Sequence, residues 1–221
     1  MKYYLFLIIS GYFLISNCNI YAQKRGEFSY MIDGGYINYN YNLTNYSAEY
    51  KNGFNYEITS RLFFSVSNSI SIGFGLGYQS KNYFSNYLQP KFSEKQKREY
   101  NEKHLNFIFP ISYRKIKILN MGVYINNAII LSYILDYKII DSYNIGPSDL
   151  YDNIGFSKRT GLNYRFSVDF VKSLNKKISF FVTPFWNYKF QFEGVSYYNS
   201  HEFDIYEVNN SFGLSIGVLF Q

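Results

Sequence analysis

Cysteine is nearly absent from this sequence, and its absence narrows the chemistry that the protein can perform. The single cysteine, Cys18, lies in an N-terminal segment that we expect to be removed. The mature chain is therefore expected to have neither disulfides nor thiol chemistry. Because the sequence has only two histidines, His104 and His201, it also gives no support for a metal site, and no cofactor is expected.

Long apolar runs are missing beyond the N-terminal segment. No later stretch approaches the roughly 20 apolar residues that a transmembrane helix needs, which excludes a helical membrane protein. The N-terminal segment has Lys2, an apolar run from Tyr3 to Ile15 and a small residue at Ala22, a pattern typical of a secretory signal peptide. The sequence therefore predicts a signal peptide over residues 1–22, with cleavage after Ala22.

Lipidation at Cys18 is the alternative interpretation of the same segment. Asn17 stands where a lipobox has a small residue, which favours simple cleavage. The remaining residues, 23–221, contain no Gly/Pro/Ser linker and no step in charge. They are predicted to form one domain.

Aromatic residues are abundant, at 22% of the chain with 26 Tyr and 22 Phe. The stretch Ile70–Gln79 shows how they are arranged, because its even positions are all large and apolar while its odd positions are glycine, serine or glutamine. Side chains of a strand point alternately to opposite faces. The stretch therefore predicts a strand with one apolar face and one nearly bare face.

The same alternation predicts eight strands. They are Phe28–Tyr41, Phe54–Val66, Ile70–Gln79, Leu105–Tyr113, Met121–Leu135, Leu162–Phe170, Ile178–Phe192 and Phe212–Phe220. Short connections at Ser67–Ser69, Lys115–Asn120 and Lys172–Lys177 alternate with long ones at Asn42–Asn52, Asn82–Lys103, Lys138–Thr160 and Glu193–Val208. Tight turns at one end and long loops at the other indicate an all-β fold, an eight-stranded antiparallel up-and-down transmembrane β-barrel.

The volume of the apolar side chains indicates which face points inward. Strands two to eight carry about forty large apolar side chains on the apolar face. The interior of an eight-stranded barrel is too narrow to hold that many, because it is just wide enough for side chains to fill it. The opposite face, with residues such as Gly73, Gly77, Ser167 and Gly213, suits a narrow lumen. The apolar face is therefore expected to contact lipid, which places the protein in the cell outer membrane. Aromatic residues near strand ends are expected to form interfacial girdles, namely Tyr78, Tyr113, Tyr133, Trp186 and Tyr188.

Three segments resemble a known family. They are Asn106–Arg114, with a proline inside an aliphatic run, Gly122–Ala128 and Gly161–Val168. These resemble strands of the outer-membrane β-barrel domain common in Bacteroidota, sometimes called PorT-like, and the resemblance covers nearly all of the mature chain. Ile108 and Phe109 depart from the family, which often has an acidic residue before the proline. The resemblance implies a Gram-negative outer-membrane barrel, and because some members serve secretion machinery it makes a component of a protein secretion apparatus one functional alternative.

Charged residues on the inward face are expected to form a structural ionic cluster inside the barrel. The cluster comprises three acids and three arginines, Asp33, Glu57, Arg61, Arg114, Arg165 and Asp169. A three-residue hairpin at Ser67–Ser69 places Arg61 opposite Gly75, and a comparable register places Arg114 opposite Gly122. Glycine leaves room for a guanidinium to reach a carboxylate across the lumen. Either Arg61 or Arg114 is expected to reach Asp169.

The leading functional hypothesis is a non-catalytic integral outer-membrane barrel, a structural or interaction scaffold with an occluded lumen. An outer-membrane lipid hydrolase is the enzymatic alternative, and it would rely on His104 or on the triplet Ser200-His201-Glu202, although sequence neighbours seldom converge into a catalytic set. Expected partners are outer-membrane lipid and lipopolysaccharide, the barrel insertion machinery and other envelope proteins. No nucleic-acid partner is expected. The charge-rich stretch Lys91–Lys103 is expected to be a solvated loop or a basic patch for lipopolysaccharide phosphates.

Overall fold

The computed structural model describes residues 25–43, 49–88, 95–118, 121–141, 160–190 and 206–221. These residues form nine strands: β1 (Phe28–Leu43), β2 (Glu49–Asn52), β3 (Tyr56–Ser65), β4 (Ile70–Leu88), β5 (Lys95–Ile118), β6 (Met121–Asp141), β7 (Thr160–Ser173), β8 (Ile178–Phe190) and β9 (Tyr206–Phe220). Within these ranges, no helix is long and apolar enough to cross a membrane.

The strands close into an antiparallel barrel. Following the hydrogen-bonded neighbours gives the ring β1, β3, β4, β5, β6, β7, β8 and β9, and β9 then pairs with β1. The short strand β2 pairs with β4 beyond the end of β3, so β2 and β3 together occupy one position in the wall. The predicted eight-stranded barrel is therefore confirmed.

Tight turns connect the strands at one end of the barrel, which we call the turn end. Val66 N donates to Ile70 O over 3.0 Å in the first turn, and Leu174 N donates to Ile178 O over 3.0 Å in another. Both ends of the described chain also lie here, because Gly26 N donates to Ser65 O and Gln221 N donates to Lys177 O, each over 2.9 Å. The opposite end is called the loop end.

The predicted connection Asn82–Lys103 is too long, because most of its residues lie in strands. β4 continues to Leu88 and β5 begins at Lys95, and the two strands stay in register from Tyr78–Leu105 to Leu88–Lys95. The alternation of apolar and polar residues disappears in this part of the hairpin, but the backbone ladder continues. The sequence signal therefore ended about ten residues before the strand did.

The outward face is apolar over the height of a membrane. On β5 it presents Leu105, Phe107, Phe109, Ile111 and Tyr113, a nine-residue span of strand that suits a hydrocarbon core. Exposed apolar side chains surround the whole barrel; Ile216 is 65% exposed and Phe212 58%. Such an exterior is stable only against lipid. The protein is an integral β-barrel of the outer membrane.

Aromatic residues concentrate where this apolar face ends. Near the loop end, the rings of Tyr36, Phe54, Tyr56 and Tyr78 form a chain of contacts with centroids 5.9–6.3 Å apart. Trp186, Tyr188 and Phe190 form another on β8. Near the turn end, the ring of Phe28 lies 5.0 Å from that of Phe64 and the ring of Tyr30 6.2 Å from that of Phe220. These two belts have the placement of interfacial girdles.

The interior contains large apolar side chains that the sequence analysis did not anticipate. Near the turn end they form a layer, which we call the turn-end layer, of Met31, Phe63, Val171, Phe181 and Leu219. Their neighbours in the wall explain how a narrow barrel holds them. Phe63 pairs across the strands with Gly73, Phe181 with Gly217 and Phe185 with Gly213. A Cβ on Gly217 or Gly213 would collide with the ring of Phe181 or Phe185, and a Cβ on Gly73 would lie 3.1 Å from the ring of Phe63.

Candidate functional site in the barrel interior

Arg61 and Asp33 form the first of two buried ion pairs in the lumen. Both point inward, from β3 and β1, and Arg61 Nη2 donates to Asp33 Oδ1 over 2.8 Å. The hydroxyl of Thr59 donates to the same carboxylate oxygen. Arg61 stands opposite Gly75, as predicted, and a Cβ on Gly75 would come within 2.6 Å of Arg61 Cγ. The bare wall is therefore what allows the long side chain to lie flat inside the barrel.

Glu57 and Arg165 form the second buried pair, and this pair crosses the lumen. Arg165 Nη2 donates to Glu57 Oε2 over 2.6 Å. Arg165 Nε donates to Asn187 Oδ1 over 2.7 Å, and its guanidinium lies 4.4 Å from the centre of the Phe185 ring. Asn106 Nδ2 donates to the other oxygen of Glu57 over 3.0 Å. The second pair thus links β3, β5, β7 and β8 through the interior.

The register predicted for Arg114 is wrong, whereas its contact with Asp169 stays a prediction because the Arg114 side chain lies outside the described residues. Asp169 is buried and accepts a hydrogen bond of 2.8 Å from the Thr183 hydroxyl, while the salt bridge of Arg61 goes to Asp33. Gly122 pairs with Lys117 and not with Arg114, because the register shifts between Tyr113 and Ile116. The backbone of Arg114 lies in β5, and its side chain is outside the described part of the structure.

A third charged group, which is not part of the predicted ionic cluster, lies near the loop end. Lys81 Nζ donates to Glu102 Oε2 over 3.3 Å, Tyr83 donates to Glu102 Oε1 over 3.0 Å, and His104 Nε2 lies 2.9 Å from Glu102 Oε2. We call Lys81, Tyr83, Glu102 and His104 the loop-end cluster. Because an ionised carboxylate only accepts hydrogen bonds, His104 Nε2 carries the proton in this contact.

The prediction that Lys91–Lys103 is a solvated loop is wrong at Glu102. That residue is buried at 5% exposure, because β5 already runs through position 102 and directs the side chain inward. Its neighbour Lys103 points outward and forms an exposed pair with Asp136, with 2.7 Å between Nζ and Oδ2. Because charged side chains face outward at this height, Glu102 lies above the apolar band that contacts lipid.

Electrostatics keep Glu102 ionised. Burial favours the protonated form, but the Lys81 ammonium, the hydrogen bond and charge of His104 and the more distant Lys189 outweigh it, so the pKa of Glu102 lies well below its usual range. Lys81 is held in turn over the rings of Tyr83 and Tyr39, with its Nζ 4.9 Å and 5.2 Å from their centres. The loop-end cluster is a compact ionic group in the mouth of the barrel.

A pH-dependent loss of stability is expected in the variant Glu102→Gln. A group whose pKa is lowered by folding stabilises the protein above its unfolded pKa, and this contribution disappears as the pH falls through the folded-state pKa. At pH 7 the variant should therefore unfold with about 1.5–3 kcal/mol less free energy, the range for a hydrogen bond to a charged group. The difference from the parent should narrow at acidic pH. Urea unfolding in lipid vesicles at pH 7 and at pH 3 measures both values.

The exposed pair provides the control for this experiment. Asp136→Asn removes the partner of Lys103, whose pKa is raised by the hydrogen bond to Asp136. Exposed ion pairs contribute little because water screens them. No measurable change is expected at either pH, and a loss at Glu102 that stayed constant with pH would contradict an ionised role for that carboxylate.

Several predicted positions lie outside the described residues. These are the cleavage site after Ala22, the signal peptide over residues 1–22, and Ser200, His201 and Glu202. Among the described residues, no three Asp, Glu, His or Cys side chains are grouped closely enough to hold a metal ion. Four of the six residues of the predicted ionic cluster thus form the two ion pairs, Asp169 is buried with the Thr183 hydroxyl as a hydrogen-bond partner, and the side chain of Arg114 lies outside the described residues.

Comparison with known proteins finds similarity in structure only. No family model and no curated protein matches the sequence. Neisserial surface protein A is similar in structure at 10% identity, with 87% of this chain and 96% of that chain covered and a TM-score of 0.44. OprG from Pseudomonas aeruginosa is similar at 9% identity, with 91% and 98% covered and a TM-score of 0.48. Ail of Yersinia pestis is similar at 7% identity, with 89% and 98% covered and a TM-score of 0.39.

Proposed function

We propose that the protein is a non-catalytic outer-membrane scaffold whose barrel is closed to solutes. The observation that carries this proposal is the ion pair between Glu57 and Arg165. In the ring of strands, three strands separate β3 from β7 in either direction, so the pair joins diametrically opposite walls. The side chains of Arg165 and Glu57 are only 8% and 3% exposed. A pair held at 2.6 Å across the full diameter obstructs the lumen at its middle.

The turn-end layer supports closure at a second depth. Phe63 and Phe181 extend into the lumen from strands on either side of β1 and β9, and Met31, Val171 and Leu219 pack against them. An apolar layer is a barrier of a different kind from an ion pair, because it excludes hydrated ions by dewetting. Two unlike obstructions in series support a structural role for the interior.

The contacts of His104 support the absence of catalysis. Its imidazole is hydrogen-bonded to Glu102, and the other carboxylate oxygen is engaged by Tyr83. A hydrolase needs a nucleophile within hydrogen-bond reach of its general base. In the loop-end cluster the carboxylate of Glu102 instead contacts both the imidazole and the Lys81 ammonium, which suits ionic cross-linking of β4 and β5.

The interaction part of the proposal rests on the shape of the wall. β4, β5 and β6 continue well past the apolar band at the loop end, whereas β7 and β8 are shorter. This asymmetric ribbon is available to outer-membrane lipopolysaccharide or to other envelope proteins. Membership of the PorT-like family and a place in a secretion apparatus stay predictions.

Negligible conductance is expected when the folded protein is inserted into planar lipid bilayers. The Glu57–Arg165 pair and the turn-end layer are expected to block the flow of ions through the lumen. A shift between heated and unheated migration on a gel shows that the inserted sample is folded, and a conducting porin in the same bilayers serves as the positive control. A steady single-channel current from the folded parent protein would contradict the proposal.

A further inference from the structure

The connection between β7 and β8, which we call the β7–β8 turn, carries three lysines at the turn end of the barrel. They are Lys172, Lys176 and Lys177, and all three side chains are exposed. None of the three forms an ion pair with a described residue. The nearest acid along the chain is Asp169, which is buried at 2% exposure. No outward-facing acid on β7 or β8 therefore offsets this positive charge.

The β7–β8 turn has the same backbone hydrogen bonds as the turn between β3 and β4. In residues 174–178 the first two backbone N–H groups donate to the carbonyl oxygen of the last residue over 3.0 and 3.2 Å, and in residues 66–70 they do so over 3.0 and 3.1 Å. The second residue of each turn, Asn175 or Ser67, also accepts a hydrogen bond from the backbone N–H two positions later. The two turns thus share a backbone pattern and differ in charge.

The comparison shows that the turn does not need lysine in order to form. Asn68 and Ser69 occupy in the β3–β4 turn the places that Lys176 and Lys177 occupy in the β7–β8 turn. Neutral polar residues are therefore sufficient for this backbone. The two lysines are best explained by what they contact outside the protein.

Lys172 adjoins the apolar surface that contacts lipid. It pairs across the strands with Phe180, so both side chains lie on the outward face, and Phe180 is 52% exposed. Phe170, two residues earlier on the same face, is 40% exposed. A lysine at such an edge lays its apolar stem along the hydrocarbon and holds its ammonium at the level of the headgroups. Because the short turns of outer-membrane barrels lie on the periplasmic side, these headgroups belong to the leaflet that faces the periplasm.

We propose that the β7–β8 turn binds an anionic phospholipid of the periplasmic leaflet, of the phosphatidylglycerol class. The lipid phosphate contacts the ammonium groups of Lys172, Lys176 and Lys177, and the acyl chains lie on Phe170 and Phe180. The three charges act on one headgroup because they lie close together relative to the screening length of about 8 Å at physiological ionic strength. Each lysine near a membrane surface strengthens the binding of anionic lipid roughly fivefold. The proposal does not depend on a closed lumen or on contacts made at the loop end.

Competition between two lipids tests the proposal. The folded protein is released from detergent that contains equal amounts of phosphatidylglycerol and phosphatidylcholine, and native mass spectrometry counts the lipids that it retains. The parent should retain phosphatidylglycerol in excess. Lys176→Asn with Lys177→Ser gives the β7–β8 turn the neutral residues of the β3–β4 turn, and it should lower the preference about 5- to 25-fold. A shift between heated and unheated migration on a gel shows that the variant is folded.

The matched control removes two lysines from the loop end. Lys51 and Lys138 are exposed there, and neither forms an ion pair with a described residue. The variant Lys51→Asn with Lys138→Ser therefore changes the net charge by the same amount, and it should keep the preference of the parent. Equal losses in the two double variants would overturn the proposal, because the net charge of the protein would then explain the attraction.

The parent alone provides a second test that needs no variant. Its preference for phosphatidylglycerol should weaken in about 1 M ammonium acetate, where charges are screened over about 3 Å. Soluble glycerol phosphate at matched ionic strength should not displace the lipid, because the acyl chains also bind the apolar surface. Displacement by glycerol phosphate would identify a site for phosphate and not for lipid. A parent that retains both lipids equally would overturn the proposal outright.

Discussion

Replacing Asp33 with alanine is expected to lower the free energy of unfolding by about 3–5 kcal/mol, the cost of breaking a buried ion pair from one side. The variant leaves the Arg61 guanidinium in the lumen, where its side chain is only 5% exposed and its Nε already has no hydrogen-bond partner among the described residues. Urea unfolding of the refolded barrel in lipid vesicles measures the change. Water that enters the lumen solvates the Arg61 guanidinium, so the loss of unfolding free energy should lie toward the lower end of the range of about 3–5 kcal/mol.

A double-mutant cycle separates the pair from its surroundings. Replacing Arg61 with methionine as well removes the unpaired charge while keeping an apolar stem over Gly75, so the double variant should recover part of the loss. Simple additivity of the two single losses would contradict a direct interaction. A larger loss for Asp169→Ala than for Asp33→Ala would show that Asp169 is the principal partner of Arg61.

The residues that face outward on each strand could be predicted from the sequence, because side chains of neighbouring residues alternate between the two faces. Ile72, Phe74 and Leu76 are large and apolar while Gly73 and Gly75 are not, and the lipid-facing side follows from this alternation alone. The pairing of Arg61 with Gly75 was also predictable, since a short turn fixes the register of the two strands that it joins.

The contents of the lumen could not be predicted in the same way, because they depend on contacts between distant strands. Glu57 meets Arg165 only once the barrel has closed, and the two residues are 108 positions apart in the chain. Glu102 was assigned to a solvated loop because charged residues surround it, although its inward direction is set by the continuation of β5. The register shift between Tyr113 and Ile116 invalidated the position predicted for Arg114 opposite Gly122.

The inward phenylalanines left a signal in the sequence that alternation alone does not reveal. The inner face of β8 carries Phe181 and Phe185 between polar residues, and β9 carries Gly217 and Gly213 at the same spacing of four. Once β8 and β9 are aligned, each ring falls opposite a glycine. The inner face of a small barrel can therefore hold a large side chain where the paired residue on the adjacent strand is glycine.

Replacing Phe181 with alanine is expected to lower the free energy of unfolding by about 3–5 kcal/mol, as for other large-to-small changes in a packed interior. Phe181 is 2% exposed and belongs to the turn-end layer, so its removal leaves a void beside the other residues of that layer. Replacing Gly217 with alanine should also destabilise the barrel, because the new Cβ would lie 2.5 Å from Phe181 Cζ and 2.7 Å from Asp33 Cβ. Overpacking of this kind typically costs about 1–3 kcal/mol.

The two substitutions together should be less harmful than their sum. Without the Phe181 ring, the methyl group of Ala at position 217 loses its main side-chain conflict, although its contact with the backbone oxygen of Ile32 remains, so the recovery is partial. Gly161→Ala is the matched control, because its Cβ would meet nothing closer than Ser132 Cβ at 4.0 Å. That change should be nearly neutral alone and additive with Phe181→Ala. Additivity of Gly217→Ala with Phe181→Ala would show instead that the missing side chain at Gly217 is not what makes room for the Phe181 ring.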